Sequence, residues 1–197
     1  MMFGLPASTE LRKAIPKDAL FSKFNVTGKE KNRFDDQIHK ITVLNVINPE
    51  TVNIEPSEDV KSIHIIEVQL NDPDYDPKII DLLNRMKHKA IYAMRYEKRC
   101  RLVVFEDKQF QTEWRMFDSI QVELVGLDLG EVWANIVRSI GGLSDSEDFR
   151  ESVEKAVHNE KIQKQIDTLE KKLAKEKQNH VQRELFAEIQ SLKAQMK

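Results

Sequence analysis

The apolar residues of the first 145 positions fall into five runs that predict β-strands. The runs are rich in β-branched and aromatic residues and are bounded by turn-forming residues, a pattern typical of strands. They cover residues 40–47, 62–70, 90–96, 100–106 and 119–125. Because only Glu97, Lys98 and Arg99 separate the third run from the fourth, these two runs are predicted to form a hairpin.

Four stretches with helical spacing of apolar residues predict helices between and after these strands. They cover residues 17–24, 29–37, 77–86 and 129–140. Asp76 and Asp128 stand where helix N-caps are expected, and Gly141 followed by Gly142 is a stop signal. The order of the elements predicts an α+β fold, with a mixed, mostly antiparallel sheet and helices on one face.

The C-terminal segment has two apolar stripes at helical spacing and contains neither glycine nor proline. The first stripe is Ile162, Ile166, Leu169 and Leu173, and the second is Leu185, Ile189, Leu192 and Met196. Residues 174–180 between them offer no large apolar side chain. We therefore predict a globular domain over residues 1–145, a polar linker over 146–159 and a coiled-coil-like helical segment over 160–197.

The two stripes are out of phase, which leaves two structures open for this segment. One is a single long helix whose contact face rotates midway, and the other is a helical hairpin that turns near Asn179. The absence of glycine and proline favours the single helix. In either structure an apolar stripe needs a partner, which is a second copy of the chain, its own globular domain or a different protein.

Composition and charge narrow the class of protein. The 197 residues are 40% hydrophobic and 32% charged, and 31 Lys+Arg against 33 Asp+Glu leave a net charge of −2. This balance does not fit a protein that coats nucleic acid through a globally basic surface. No apolar run approaches the roughly 20 residues that span a bilayer, and the first residues lack the pattern of a secretion signal. We expect a soluble cytoplasmic protein without a membrane contact.

The residue types that carry most enzyme chemistry are sparse or badly placed. No phosphate-binding glycine motif is present, and one cysteine with five scattered histidines forms neither a disulfide nor a Cys-rich zinc site. Cys100 lies between Arg99 and Arg101, but strand alternation places both arginines on the opposite face. This placement favours a packed, unreactive cysteine. We therefore expect a non-enzymatic protein with neither metal nor cofactor.

A Mg²⁺-dependent nuclease is the alternative from the enzyme classes. In such folds the elements follow one another as helix, strand, strand, strand, helix and strand. Acidic side chains near the central strands hold the metal. The order is approximated here if residues 51–54 are extended, with Glu67 as one acid and Asp59 or a neighbouring loop glutamate as the other. Two residues after Glu67 stands Gln69, where a lysine would assist the attacking water.

Direct nucleic-acid binding is a second alternative. Arg95, Arg99 and Arg101 cluster on the predicted hairpin with Lys98 and several aromatic residues, and a cationic surface with aromatic side chains binds single strands. Acidic residues lie close by in the same hairpin. A solvated hairpin face is therefore the simpler interpretation of this cluster.

Several segments together resemble one family of bacterial and archaeal proteins. They include residues 4–9 (GLPAST), 13–17 (KAIPK), 47–54 (INPETVNI), 112–114 (TEW) and 175–178 (KEKQ). The most specific block runs from Leu127-Asp128-Leu129 through Val132-Trp133 to Ile140-Gly141-Gly142. The family that carries similar segments, essentially from end to end, is the domain of unknown function four-three-nine-one.

The resemblance implies a partner class rather than an activity. The family has no established activity, and its members tend to be encoded beside DNA methyltransferases and helicases of restriction-modification or phage-defence systems. This context implies an accessory protein that docks to such a larger protein through its C-terminal helix, while the apolar stripes of that segment leave self-association as a homodimer open. The resemblance supplies no catalytic residue, and the leading hypothesis is a non-enzymatic interaction protein.

Overall fold

The chain divides between Leu143 and Ser144 into two compact units. We call residues up to Leu143 the body and those from Ser144 onward the tail. The structure is a computed structural model, and it describes residues 2–26, 28–86 and 88–196. The division lies beside the boundary that the sequence predicts near residue 145.

The body is built on one mixed sheet, which has seven strands in the described residues. They are β1 (Glu10–Ala14), β2 (Ile38–Ile47), β3 (Ile63–Leu70), β4 (Ala90–Tyr96), β5 (Arg99–Glu106), β6 (Lys108–Gln111) and β7 (Arg115–Met116). Their order is β1-β2-β3-β4-β5-β6, with β7 paired to β5. Neighbouring strands are antiparallel except for β3 and β4, which run parallel. This confirms the predicted α+β fold with a mixed, mostly antiparallel sheet.

Three helices of the body cover one face of this sheet. The helices of the body are α1 (Lys17–Lys23), α2 (Gly28–Gln37), α3 (Pro49–Val52), α4 (Lys78–Asn84) and α5 (Leu129–Gly141). Leu20 of α1, Phe34 of α2 and Ile80 of α4 are buried in one cluster with Ile66 and Val103 of the sheet. The helix α4 is also the crossover that the parallel strands β3 and β4 require.

The helix α5 packs on the other face. Val103 points into the first cluster, so Val104 beside it and Phe110 opposite Val104 point away from that cluster. Gly141 of α5 lies against Phe110, where an added Cβ would come within 2.7 Å of the ring atom Cδ1. The expectation of helices on one face therefore holds for α1, α2 and α4 and is wrong for α5.

Most predicted elements match the structure, and two do not. The predicted helices correspond to α1, α2, α4 and α5, and the first four predicted strands correspond to β2 to β5. Residues 119–125 form no strand. Residues 51–54 are not an extended piece, because Asn48 caps α3 and accepts a hydrogen bond from the Thr51 N–H at 3.0 Å. The additional strands are β1, β6 and β7, which the apolar pattern does not predict.

The tail is a helical hairpin of α6 (Phe149–Leu173) and α7 (Asn179–Gln195). The residues that pack together from its two helices are Ile162, Ile166, Leu169, Leu173, Ile189 and Leu192. The prediction of one continuous helix is therefore wrong, and the hairpin alternative is confirmed. The predicted linker 146–159 is wrong from Phe149 onward, because Asp148 caps α6 and accepts a hydrogen bond from the Arg150 N–H at 2.9 Å.

The turn between α6 and α7 is closed by a carboxylate. Glu176 accepts hydrogen bonds from the N–H groups of Lys177 at 2.7 Å and Gln178 at 2.8 Å, next to the first turn of α7. These bonds to Gln178 and Lys177 lower the pKa of Glu176. The carboxylate thus fixes the turn directly before α7, at a helix break where glycine or proline would be expected. In the described chain no helix has the length and apolar character needed to cross a membrane.

Candidate functional site

The loop before α5 is fixed to the helix at both of its ends. Asp128 caps α5, and its Oδ1 accepts hydrogen bonds from the N–H groups of Gly130 at 2.8 Å and Glu131 at 2.9 Å. Glu131 in turn accepts a hydrogen bond from the Leu127 N–H at 2.8 Å. This reciprocal capping holds the chain direction at the start of α5.

The other end of the loop is held by backbone geometry and by an asparagine. Gly126 has φ +153°, and a Cβ at this position would lie 2.7 Å from the backbone nitrogen of Val132. Only glycine therefore allows this close approach of the loop to α5. Asn135 donates a hydrogen bond to the Val125 carbonyl at 2.8 Å and accepts one from Arg138 at 3.1 Å. The loop is thus a built part of the body.

This fixed loop presents two large apolar side chains to solvent. Val125 is 56% exposed and Leu127 is 88% exposed. We call residues 125–127 the apolar loop. Its contacts to α5 involve backbone groups and leave both side chains free, so burying them against another molecule requires little ordering of the backbone. Exposed apolar side chains on a rigid support are typical of protein-protein contacts.

A cavity of about 290 Å³ lies beside the apolar loop, between α5 and residues 120–125. We call it the α5 groove. Its apolar lining includes Leu102, Ile120, Ile136 and Ile140, and its polar lining includes Thr112, Arg115, Gln121, Glu123, Asn135 and Ser139. Apolar walls with a few polar groups are typical of binding sites. The lining contains no cysteine, histidine or lysine.

The nuclease candidate Glu67 has another role in the structure. Its side chain is 6% exposed, and its Oε1 lies 2.8 Å from Nη1 of Arg95 on the neighbouring parallel strand. Gln69 donates a second hydrogen bond to its Oε2 at 2.9 Å. Both carboxylate oxygens are therefore engaged by protein groups. Asp59 lies in the loop before β3, and no cluster of three or more His, Cys, Asp or Glu side chains suited to a metal occurs in the described residues.

The three arginines predicted for nucleic-acid contact do not form one free cationic surface. Arg95 pairs with Glu67, and its guanidinium stacks on Phe117 at 4.4 Å from the ring centre. Arg101 stacks on Trp114 at 4.7 Å, whereas Arg99 is exposed. Two of the three guanidinium groups thus cover aromatic rings of the body, which leaves Arg99 as the one exposed member of this predicted set.

Cys100 is completely buried beside this ion pair. Burial raises the pKa of its thiol to about 12, with the Glu67 carboxylate adding to the rise and Arg95 opposing it. The thiol is therefore protonated at neutral pH. Because the thiolate is the reactive form of cysteine, the side chain has a packing role, as strand alternation predicts.

The tail residues predicted for interaction are mostly covered within the chain. Ile162, Ile166 and Ile189 are buried in the hairpin, and their leucine neighbours in the two stripes pack against them or are half-buried. Met196, the last residue of the second stripe, is 38% exposed. The two stripes therefore serve largely as each other's partner.

A half-buried histidine at the start of β3 makes the stability of the body depend on pH. The pKa of His64 is lowered, first by burial and then by the charge of nearby His88, against a smaller opposing effect of a hydrogen bond to the Lys89 backbone. The unfolded chain therefore binds a proton near pH 6.5 that the folded body excludes, and stability is lost as pH falls through this range.

We expect the urea midpoint of the body to fall between pH 7 and about pH 5.5, and to fall less steeply in a His64→Gln variant. Tryptophan fluorescence measures this unfolding, because Trp114 and Trp133 both lie in the body. His39→Gln, at an exposed position, is the matched control and should keep the wild-type slope. Equal slopes for the wild type and His64→Gln would contradict the assignment to His64.

The apolar pattern predicts neither the apolar loop nor the α5 groove, although the sequence indicates both the N-cap Asp128 and the glycines at the end of α5. The alternation of residues 119–125 predicts a strand that ends at Val125. That prediction gives no reason to expect that Leu127 after it is exposed. The available signal was Gly126 inside an apolar run directly before the cap Asp128. A glycine at such a place indicates a turn or a close approach of two backbones.

Comparison with known proteins gives one match along nearly the whole chain. No curated protein and no solved structure matches the sequence. The family model described as "Domain of unknown function (DUF4391)" matches residues 3–196, which include the whole sheet, the apolar loop, the α5 groove and the tail hairpin. The chain therefore belongs to this family, the one that its sequence segments resemble.

Proposed function

We propose that the chain is a non-enzymatic interaction protein whose body docks to another protein through the apolar loop and the α5 groove. The observation that carries this proposal is the 88% exposure of Leu127 on a loop whose backbone is fixed to α5. A leucine held rigidly in water does not stabilise the folded chain by itself. On a docking surface, the same side chain is a preorganised apolar contact that costs little entropy on binding.

The position of the docking surface differs from the one that the sequence pattern favours. The apolar stripes of the tail largely cover each other in the hairpin of α6 and α7. Docking or self-association through these stripes would require the hairpin to open. The apolar loop needs no such rearrangement, which supports the body as the docking unit.

The resemblance described above supports a partner class. We propose a DNA methyltransferase or a helicase of a restriction-modification or phage-defence system, both of which act in the cytoplasm. The chain would then be the accessory protein, and the larger partner would supply the chemistry on DNA. The engagement of Glu67 by Arg95 and Gln69 supports this division of roles, since the nuclease alternative needs Glu67 for a metal.

The expected result is that Leu127→Asp lowers the amount of partner recovered with the tagged full-length chain by about tenfold or more, because a charge replaces an apolar anchor. The measurement is quantitative mass spectrometry of the complexes purified from the native source. Leu11→Asp is the matched control, since Leu11 is also an exposed leucine of the body, at 51%. Equal recovery with both variants would contradict docking through the apolar loop.

A further inference from the structure

Residues 120–125 have the side-chain pattern of a strand without a strand partner. Ile120 and Val122 are buried, whereas Gln121, Glu123 and Val125 are exposed. The segment runs without a bend, and Ile120 has extended dihedral angles of φ −78° and ψ 130°. Such alternation is what a half-buried strand requires, and it explains why the sequence predicts a strand here.

One edge of this segment is occupied by Phe3, and the other is occupied only at its end, where the Val125 carbonyl accepts a hydrogen bond from Asn135. The N–H of Val122 donates to the Phe3 carbonyl at 2.9 Å. In an extended chain, the N–H groups of residues i and i+2 point to the same edge, so those of Gln121, Glu123 and Val125 point away from Phe3. Within the described chain, none of these three N–H groups has a hydrogen-bond partner. They form a row of free donors with strand spacing.

The outer strands of the sheet are protected against pairing, and this segment is not. At β1 the register shifts between Glu10 and Lys13, and Arg12 has φ 51°, so the edge is bent and charged. The opposite outer strand β6 has only four residues. Bulges, charges and short length are the usual means by which proteins prevent edge pairing. Residues 120–125 contain no glycine, no proline and one charged residue.

We infer that the partner docks by β-strand addition: an extended segment of a different protein pairs with residues 120–125 and places an aliphatic side chain in the α5 groove. This rests on the proposed function and names its binding mode. Main-chain hydrogen bonds to the free N–H groups supply affinity, and the groove selects one alternate side chain of the segment. The apolar loop extends the same surface at Val125.

Charge favours a different protein over a second copy as the occupant. A second copy that pairs through the same segment cannot place a cation opposite Glu123, because residues 119–125 contain no basic residue, and a pairing centred on Glu123 would set two carboxylates opposite each other. A lysine or arginine of another protein opposite Glu123 stabilises the pair instead. We therefore expect a docking segment that alternates aliphatic and polar residues and carries a basic residue among the polar ones.

The test uses full-length protein and displayed random peptides of about ten residues, which is long enough for a strand. Panning should enrich peptides with the alternating pattern, and an enriched synthetic peptide should protect the amides of Gln121, Glu123 and Val125 from hydrogen exchange. Glu123→Pro removes one donor and should weaken binding of that peptide, measured by fluorescence anisotropy, by about tenfold or more. Glu123→Thr keeps the N–H and removes only the carboxylate, so the additional loss of affinity from Glu123→Thr to Glu123→Pro measures the lost donor.

The outcomes separate the binding mode from the docking surface. Strand addition is overturned, and docking stands, if three results occur together. Leu127→Asp abolishes peptide binding, Glu123→Pro leaves the peptide affinity unchanged, and the bound peptide leaves hydrogen exchange of the three amides unchanged. If neither variant changes binding, both proposals fail. Failure to enrich any alternating peptide overturns strand addition. The inference is also overturned if the full-length chain has the mass of a dimer and Glu123→Pro reduces it to a monomer, because the occupant is then a second copy.

Discussion

Replacing Arg95 by alanine is expected to lower the free energy of unfolding of the body by about 3 kcal/mol. The variant leaves the Glu67 carboxylate, 6% exposed, without its charged partner. Breaking a buried ion pair costs roughly 3–5 kcal/mol, and the low end applies because Arg95 itself is 35% exposed and lets water reach the pair. Loss of the stacking contact with Phe117 acts in the same direction. Urea unfolding followed by tryptophan fluorescence measures the change.

Two further variants identify the cause of this loss. Arg99→Ala removes an exposed arginine from the same hairpin and should change stability by no more than about 0.5 kcal/mol. Glu67→Gln in the Arg95→Ala background removes the unpaired charge and should restore most of the lost stability. Equal effects of Arg95→Ala and Arg99→Ala would show that Glu67 is open to water, and the metal-binding interpretation of Glu67 would then regain support.

The Glu67–Arg95 pair also shows what the sequence could not predict. The sequence points to each residue under a separate hypothesis, to Glu67 for a nuclease and to Arg95 for nucleic-acid binding. They meet because β3 and β4 pair in parallel with Glu67 opposite Ala93 and Gln69 opposite Arg95. This register depends on the crossover through α4 and has no local signature in the chain. The hydrophobic pattern predicts where the strands lie in the sequence. The ion pair follows only from the register in which β3 and β4 pair.

Two of the differences between the predicted and observed elements, at residues 119–125 and at β1, have different physical causes. Residues 119–125 satisfy the alternation of a strand, but a strand also needs a neighbour for its backbone groups, and that condition is not visible in the pattern. The strand β1 is the opposite case, a paired strand that the pattern does not predict. Its residues are exposed or half-exposed, so it pairs with β2 without any apolar alternation. Side-chain pattern therefore predicts burial more reliably than it predicts strand pairing.

The tail shows why the absence of glycine and proline is a weak argument for a continuous helix. The apolar stripe stops after Leu173, so residues 174–178 have nothing to bury, and the turn costs no packing. Glu176 then fixes the turn before α7 by accepting hydrogen bonds from the N–H groups of Lys177 and Gln178. The two stripes are out of phase because they belong to two helices that face each other, not to one helix with a rotating contact face.

The largest effect in the tail is expected for Ile166→Ala, which should lower the free energy of unfolding of the hairpin by about 2–5 kcal/mol. Ile166 is fully buried and packs with Ile162 and Ile189 in the centre of the hairpin. Two helices of this kind are marginal by themselves, so their packing supplies most of the stability. The measurement is the loss of helical circular dichroism on heating, with tryptophan fluorescence as the separate signal of the body.

Phe186→Ala is the matched control, because it removes a larger side chain of α7 that is 56% exposed. It should change the stability of the hairpin by no more than about 0.5 kcal/mol. A loss as large as that of Ile166→Ala would mean that Phe186 is buried in solution against a second chain. The tail would then be a second interaction surface of the protein, in addition to the apolar loop of the body.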